Sequence, residues 1–210
     1  MNYIYLHGFA SSPKSYKGSY IQQRFAEIGK TLHCPDLNGA DFEHLTISSQ
    51  LSIIRELADS LSGEITLIGS SLGGYLAALF AEDEQRVSRL VMMCPAFQFA
   101  SRYAKRMPPE TLEKWRNDGF IELYHFGYKT SKRLHFGVIE DAAPHDNREL
   151  QRRLPALIIH GLRDEVVPYS LSVDYLEGQP QAQLLLLNVD HGMADAVDLI
   201  WQQIKLFLDI

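Results

Sequence analysis

The sequence predicts an α/β fold, in which a doubly wound and mostly parallel six-stranded sheet carries a helical insertion. Three observations support this fold class. Six short apolar runs recur along the 210 residues, and they are continuous rather than alternating, as strands buried on both faces should be. Segments with helical apolar spacing separate these runs, as in strand–helix–strand units. One interval between two runs is about 60 residues long, which is too long for a single crossover.

The elements follow one another along the chain in a regular order. The predicted strands are residues 2–7, 31–35, 64–69, 89–94, 156–161 and 183–188. The predicted helices are residues 13–29, 46–61, 72–82, 168–177 and 193–208. In the first helix, Ser12 is the expected N-cap and Pro13 the expected first helical residue. Because strand and helix alternate, crossovers of one hand should place helices on both faces of the sheet.

Residues 98–148 interrupt this alternation, and we interpret them as a helical cap insertion within a single domain of residues 1–210. The segment is rich in aromatic residues, namely Tyr103, Trp115, Phe120, Tyr124, Phe126, Tyr128 and Phe136. We expect it to fold over the C-terminal ends of the strands. A long two-helix crossover packed on the sheet is the alternative, since aromatic residues at helical spacing commonly belong to a core.

Composition excludes several classes of partner. The net charge of −6 and the lack of a Lys/Arg cluster argue against nucleic acid. No apolar run is long enough to span a membrane, and the first residues do not resemble a signal peptide, so the cytoplasm is the expected location. Cys34 and Cys94 lie in apolar strand-like segments and are expected to be buried reduced thiols. The composition leaves the oligomeric state open.

A glycine-rich corner follows the third predicted strand. Its sequence GSSLGG fits the Gly-x-Ser-x-Gly pattern of a nucleophile elbow, with Gly69, Ser71 and Gly73 at the three fixed positions. Such a turn holds its central residue at positive φ and leaves no room for side chains two positions away. The turn would expose the Ser71 hydroxyl beside a helix N-terminus. The glycine spacing fits neither a Walker loop nor a dinucleotide fingerprint, and a purely structural turn is the remaining alternative.

A serine nucleophile requires a base to take its proton and an acid to orient that base. Asp164 lies three residues beyond the fifth apolar run, and His191 lies three residues beyond the sixth. Both therefore belong to loops at the sheet edge that carries Ser71, and they are the predicted acid and base. Asp164 could instead cap a helix that begins near Pro168, and Glu165 is a weaker candidate for the acid.

The other histidines and the second loop aspartate are assigned different roles. His7 and His160 each precede a glycine at a strand end and are interpreted as structural. Asp190 is expected to shape the turn that carries His191. Any of the three insertion histidines could contact a substrate; they are His125, His135 and His145. The sequence contains no His-Glu-x-x-His pattern and no Cys/His ligand cluster, so neither a metal nor another cofactor is predicted.

Acyl transfer also needs two N–H donors for the oxyanion of the tetrahedral intermediate. One is expected to be the backbone N–H of Leu72, which follows Ser71. The other should come from the loop HGFASSP after the first strand, where Gly8 permits a close backbone approach. The N–H of Phe9 is the preferred second donor, with Ala10 as the alternative. The phenyl ring of Phe9 would then line the acyl pocket.

The segments YLHGFASSP, GSSLGG, HGLRDEVVP and DHGM together resemble the α/β-hydrolase superfamily, and the whole chain is similar to the small bacterial YqiA-like esterases. The resemblance includes the insertion segments LEKWRNDGFIELYHFGYK and FGVIEDAAP. It implies a trimmed α/β-hydrolase fold with Ser71 as nucleophile, Asp164 as acid and His191 as base. It also implies hydrolysis of a carboxylic ester or an acyl thioester through an acyl-enzyme.

Other functions remain open at this point. A hydrolase-like binding protein could use the aromatic insertion to hold a ligand or partner without turnover, and an amidase would share the same machinery. Residues 101–136 contain eight Lys or Arg and four Asp or Glu, a net charge of +4 against −10 for the rest of the chain. That charge would favour an anionic leaving group such as coenzyme A, although a solvated helix face explains it equally well.

Overall fold

Six parallel strands form the central sheet, in the spatial order β2-β1-β3-β4-β7-β8, and helices cover both of its faces. The computed structural model describes all of residues 1–210. The strands of this sheet are β1 (Asn2–Leu6), β2 (Leu32–His33), β3 (Ile65–Ser70), β4 (Val87–Met93), β7 (Ala156–Gly161) and β8 (Ala182–Leu187). Each corresponds to one of the six predicted runs, so the predicted doubly wound parallel sheet is confirmed.

The helices outside the insertion divide between the two faces of the sheet. They are α1 (Tyr16–Glu27), α2 (Ile47–Asp59), α3 (Leu72–Asp83), α7 (Ser170–Glu177) and α8 (Val197–Leu208), with short 3-10 helices at Phe42–His44 and Ala194–Ala196. Side chains of β1 alternate between the faces: Tyr3 and Tyr5 pack with α1 and α8, whereas Ile4 and Leu6 pack with α2 and α3. None of these helices has the length and apolar content needed to cross a bilayer.

Helix α1 begins later than the sequence predicts. Ser15, not Ser12, is the N-cap, and its hydroxyl accepts a hydrogen bond from the Gly18 N–H at 3.2 Å. The prediction was wrong because residues 12–15 form a separate turn, in which the Ser15 N–H donates to the Ser12 carbonyl. Pro13 therefore precedes the helix and is not its first residue.

Residues 98–148 contain three helices and a β-hairpin. The helices are α4 (Phe99–Arg106), α5 (Pro109–Asp118) and α6 (Gly137–Asp146), and the antiparallel strands are β5 (Phe120–His125) and β6 (Thr130–His135). The prediction of a helical cap insertion missed this hairpin. Phe120 and Tyr124 are strand residues, although their spacing of four fits a helix. Along β5, half-buried Ile121 and Leu123 alternate with exposed residues, which is the period of a strand.

An aromatic core joins this segment to the main sheet. Trp115 is fully buried, and its indole N–H donates to the Leu134 carbonyl of the hairpin at 3.0 Å. Its ring contacts Tyr103, which in turn contacts Phe9 in the loop after β1. The insertion is therefore packed against the loop that follows the first strand. The contacts are made by aromatic side chains that already mark this segment in the sequence.

The two cysteines do not form a disulfide. Cys94 is buried at the end of β4, as predicted, whereas Cys34 is only half buried. Burial raises the pKa of the Cys34 thiol to about 11 and also raises the pKa of the Cys94 thiol. Both thiols are therefore neutral at physiological pH.

Candidate active site

Ser71 occupies a strained turn between β3 and α3. Its backbone has φ of 54° and ψ of −119°, outside the ordinary regions for a residue with a side chain. Hydrogen bonds on both sides hold this conformation, since the Ser71 N–H donates to the Met93 carbonyl and the Ser71 carbonyl accepts from the Ala96 N–H. Strain of this kind persists where the surrounding structure determines it, and it is common at active sites.

Gly69 and Gly73 make this turn possible because neither position has room for a side chain. A Cβ at Gly69 would lie 2.2 Å from the Gly73 carbonyl oxygen, and a Cβ at Gly73 would lie 2.0 Å from the Leu6 carbonyl oxygen. Both distances are far below van der Waals contact. The strand and the helix therefore approach each other more closely than any other residue would allow, as the sequence motif predicts.

The structure brings Ser71, His191 and Asp164 together in a continuous hydrogen-bonded chain. The Nε2 atom of His191 lies 3.1 Å from the Ser71 hydroxyl oxygen, and its Nδ1 lies 2.7 Å from Oδ2 of Asp164. The three residues follow β3, β8 and β7 respectively, so they meet because the carboxyl ends of these parallel strands share one edge of the sheet. The imidazole is the more exposed of these two side chains, at 20% against 0% for the carboxylate.

Both oxygens of the Asp164 carboxylate have polar partners in the protein. Its Oδ1 accepts from the Val166 and Val167 N–H groups at 2.8 and 2.7 Å, while Oδ2 faces His191 and also His160, at 3.2 Å. Burial by itself raises the pKa of this carboxyl. The hydrogen bonds from His160, His191 and Val167 outweigh that effect, so the pKa lies well below its usual range. Asp164 is therefore ionised, and it shapes its own loop as well as contacting His191.

His160 is a neighbour of this site that the sequence interpretation did not recognise. It is fully buried in β7, with Nδ1 at 2.7 Å from the Ser172 hydroxyl and Nε2 at 2.9 Å from the Val167 carbonyl. These contacts fit the predicted structural role, but Nε2 also faces Asp164. No signal in the sequence indicates this contact, because His160 lies in a buried strand and Asp164 in the loop that follows it.

Cys94, His160 and Asp164 each offer one ligand atom, and these atoms lie within 4.8 Å of one another. The donor set of a thiol, an imidazole and a carboxylate is one that metals use. Here, however, both nitrogens of His160 and both oxygens of Asp164 already have hydrogen-bond partners in the protein. We therefore interpret these three residues as buried structural support for the hydrogen-bonded chain that links Asp164, His191 and Ser71.

The loop after β1 lies against Ser71. A Cβ at Gly8 would be 3.3 Å from the Ser71 Cβ, so glycine allows the closest approach of the two backbones. The Nδ1 atom of His7 donates to the Gly8 carbonyl at 2.9 Å, while its Nε2 accepts from the Leu37 N–H. Because a peptide is planar and trans, this bond also fixes the direction of the Phe9 N–H, which makes no hydrogen bond within the protein.

Leu72 supplies the other predicted donor at the start of α3. It is the first helical residue, so its N–H has no intrahelical partner. Ala10, the alternative to Phe9, has a φ of 48° and is buried. The ring of Phe9 packs against Phe42 and Phe99 as well as Tyr103, and so belongs to an aromatic wall beside the loop.

The tip of the insertion hairpin rests on the same loop. The Gly127 N–H donates to the Ala10 carbonyl, and a Cβ at Gly127 would lie 2.7 Å from the Ser11 carbonyl carbon. Asn38 adds a bridge, since its amide donates to the Ser11 carbonyl and its Oδ1 lies 3.2 Å from Nε2 of His125. The insertion therefore holds the loop that carries Phe9.

The remaining sequence candidates do not reach Ser71. Asp190 uses Oδ1 to accept from the Met193 N–H, as expected for a residue that shapes the turn, and Glu165 is exposed. The insertion histidines bond to nearby protein groups: His125 to Asn38 and Tyr128, His135 to Gly137, and His145 to Ser48.

A family model described as an uncharacterised protein family, UPF0227, matches residues 2–208. The chain belongs to this family. The match confirms the resemblance to the YqiA-like group that the sequence motifs indicate. Among curated proteins, the UPF0227 chain is similar to the mitochondrial palmitoyl-protein thioesterase ABHD10 of mouse and of rat, at 22% and 23% identity. Both alignments cover 93% of this chain and 70% of the relative.

Solved structures show the same fold as the UPF0227 chain. Mouse alpha/beta hydrolase domain-containing protein 10 superimposes with a TM-score of 0.82 and 21% identity, covering 99% of this chain and 89% of that one. Est1E from Butyrivibrio proteoclasticus superimposes with a TM-score of 0.76 and 21% identity, covering 98% of this chain and 85% of that one. A monoacylglycerol lipase from Paleococcus ferrophilus superimposes with a TM-score of 0.76 and 15% identity, covering 98% of this chain and 93% of that one. At these identities the likeness shows the fold alone, and that fold is the α/β-hydrolase fold.

Proposed function

We propose that this UPF0227 chain is a serine hydrolase that cleaves carboxylic esters or acyl thioesters through an acyl-enzyme on Ser71. The observation that carries the proposal is the pair of distances at His191, 3.1 Å to the Ser71 hydroxyl and 2.7 Å to Asp164. With Asp164 ionised, Nδ1 of His191 holds its proton, and Nε2 is left as the acceptor for the Ser71 proton. Esterase, lipase and thioesterase names among the relatives agree with this reaction class.

Acylation begins when the Ser71 oxygen attacks the carbonyl carbon while its proton passes to Nε2 of His191. The negative charge that forms on the carbonyl oxygen is stabilised by the N–H groups of Phe9 and Leu72. The intermediate then collapses: the bond to the alcohol or thiol breaks, and the leaving group takes the proton from His191. Asp164 stays ionised and orients the imidazole throughout.

Deacylation repeats these steps with water. His191 removes a proton from a water molecule that attacks the acyl carbon, and the same two N–H groups hold the second oxyanion. Collapse releases the carboxylic acid and returns the proton to the Ser71 oxygen. The elbow favours both halves, because the strained turn places that oxygen of half-buried Ser71 beside the N-terminus of α3.

Labelling with a fluorophosphonate tests the proposal, because only an activated serine reacts with it. We expect the wild-type protein to label at Ser71 and to hydrolyse p-nitrophenyl esters or acyl thioesters, and Ser71→Ala to do neither while remaining folded. Ser70→Ala is the matched control, because Ser70 is the adjacent serine but is buried at the end of β3. Failure of the wild type to label would favour a binding protein without turnover.

The choice between an acyl-CoA and a neutral ester rests on the net positive charge of residues 101–136. A positive field would speed the reaction of an anionic substrate, and the effect should fade with ionic strength. Rates on both substrates, matched in acyl chain length and compared at low and high salt, test this. A salt dependence confined to the acyl-CoA supports an anionic leaving group, and equal salt dependence contradicts it.

A further inference from the structure

One cation reaches the candidate active site from outside the strand-end loops. Lys17 lies in the first turn of α1, and its ammonium group donates to the backbone carbonyl of His191 at 3.3 Å. That carbonyl accepts no backbone N–H. Its only other neighbour with a hydrogen-bonding proton is the Cys94 thiol at 4.0 Å, which is a weak donor. Lys17 is therefore the principal partner of the His191 carbonyl.

The packing of α1 fixes where Lys17 can reach. Ser15 caps the helix, and a Cβ on Gly18 would lie 2.7 Å from the Pro13 carbonyl oxygen and 3.0 Å from the ring of Tyr5. The first turn of α1 thus lies tightly against β1 and the preceding loop. Glycine next to Lys17 allows this close approach and brings the lysine stem towards the carboxyl ends of the strands.

Lys17 gives no benefit to the helix that carries it. A cation in the first turn opposes the helix dipole, which favours negative charge there. Burial also lowers the pKa of its ammonium, while the negative charges of Asp164 and Asp190 act in the opposite direction. The negative groups that face Lys17 are thus the two aspartates of the strand-end loops. The contacts with those loops, among them the bond to the His191 carbonyl, offset these costs.

The loop that carries His191 needs support of this kind. It runs from residue 188 to residue 193, outside any strand, and Met193 has a left-handed φ of 54°. Arg163 holds its first residue by donating to the Asn188 carbonyl, and the Asp190 carboxylate holds its end at the Met193 N–H. The Arg163 N–H also donates to the Val189 carbonyl, so these anchors hold both sides of His191, and Lys17 adds one at His191 itself.

We propose that Lys17 is a positioning residue for the reaction, which holds the backbone of His191 so that its imidazole stays between Ser71 and Asp164. This inference rests on the proposed hydrolase function. Other charged or titratable groups act on Asp164 from different directions: His160 from β7 and Arg102 from α4. In contrast, Lys17 lies on α1 and donates its hydrogen bond to His191 itself.

Two substitutions distinguish the hydrogen bond and charge of Lys17 from the space that its side chain fills. Lys17→Met keeps the length of the side chain and removes both the donor and the charge, whereas Lys17→Arg keeps both. Lys14→Met is the matched control, since Lys14 is exposed three residues earlier. We expect Lys17→Met to lower kcat about 10²-fold, as a displacement near 1 Å of a reacting group does, with KM almost unchanged.

Hydrogen exchange gives a readout that does not depend on turnover. Lys17→Met should speed amide exchange in residues 188–193, with Lys17→Arg and Lys14→Met close to wild type in both exchange and kcat. The proposal is overturned if Lys17→Met keeps kcat within threefold or leaves exchange in residues 188–193 unchanged, or if Lys17→Arg is as impaired as Lys17→Met. A wild-type protein without fluorophosphonate labelling would instead refute the hydrolase function, and loop exchange would still test the role of Lys17.

Discussion

Replacing Asp164 by asparagine should remove the activity while leaving the shape of the site intact. In the protein, Oδ1 of Asp164 accepts two backbone N–H groups and Oδ2 faces His191. An asparagine has only one oxygen, and the two N–H donors of Val166 and Val167 require it. The amide nitrogen must then take the place of Oδ2 and donate to Nδ1 of His191.

That exchange reverses the tautomer of His191. With Nδ1 as an acceptor, the proton lies on Nε2, which then points a donor at the Ser71 hydroxyl and cannot take its proton. Loss of the base in this way lowers kcat by about 10⁴-fold, or about 5 kcal/mol in the activation free energy. The direction is the same for an ester or a thioester substrate.

The assay is steady-state hydrolysis of a p-nitrophenyl ester by wild type, Asp164→Asn and Asp190→Asn. Asp190→Asn is the control, because its remaining oxygen can still accept from the Met193 N–H. It should stay within severalfold of wild type. Thermal unfolding and circular dichroism show that each variant is folded. If folded Asp164→Asn keeps a tenth of the wild-type kcat, then Asp164 does not orient His191 in the reaction.

Three further substitutions test the supporting structure. Gly73→Ala places a Cβ 2.0 Å from a carbonyl oxygen of β1 and should lower the unfolding free energy by about 3 kcal/mol or more. Denaturant titration measures this free energy, and a loss below about 1 kcal/mol would contradict the tight packing. Gly127→Ala pushes the hairpin tip from Ser11 and should lower kcat about tenfold or more, and an unchanged kcat would separate the tip from the site. Hydrogen bonds from Arg86 lower the pKa of Glu84 to about 2, so its stabilisation is complete above its ordinary pKa and is lost as the pH falls towards 2. Glu84→Gln should flatten that acid limb of stability, and an unchanged limb refutes the assignment.

The sequence was most informative where chemistry and strand position coincide. Ser71, Asp164 and His191 each follow an apolar run at a short fixed distance, and parallel strands bring such positions to one edge. Their convergence could therefore be predicted without coordinates. Gly69 and Gly73 were predictable for a similar reason, because the elbow leaves no space for a Cβ at either position.

Contacts that depend on the direction of a side chain could not be predicted. His160 lies in a buried strand, and only the coordinates show that its Nε2 turns towards Asp164. Lys17 is far from His191 in the chain, and its contact depends on how tightly α1 packs on β1. Neither pair has a sequence spacing that indicates proximity by itself.

The hairpin and the start of α1 show two different causes of error. In the hairpin, aromatic residues four apart satisfied a helical period although the backbone is extended, and the alternation of Ile121 and Leu123 was the stronger signal. At α1, both Ser12 and Ser15 satisfy the preference for an N-cap. Only the turn between them decides which serine caps the helix, and turns of this kind depend on tertiary contacts.

Detection of the acyl-enzyme tests the central claim most directly. The protein is mixed with a p-nitrophenyl ester, quenched within the first turnover and digested, and the peptide that contains Ser70 and Ser71 is sequenced by fragmentation. We predict that the acyl group is on Ser71 and that Ser71→Ala gives no acyl peptide. When deacylation is the slower step, the wild type should also release a burst of p-nitrophenol equal to the enzyme concentration. An acyl group on another residue, or turnover that survives in Ser71→Ala, would contradict the account.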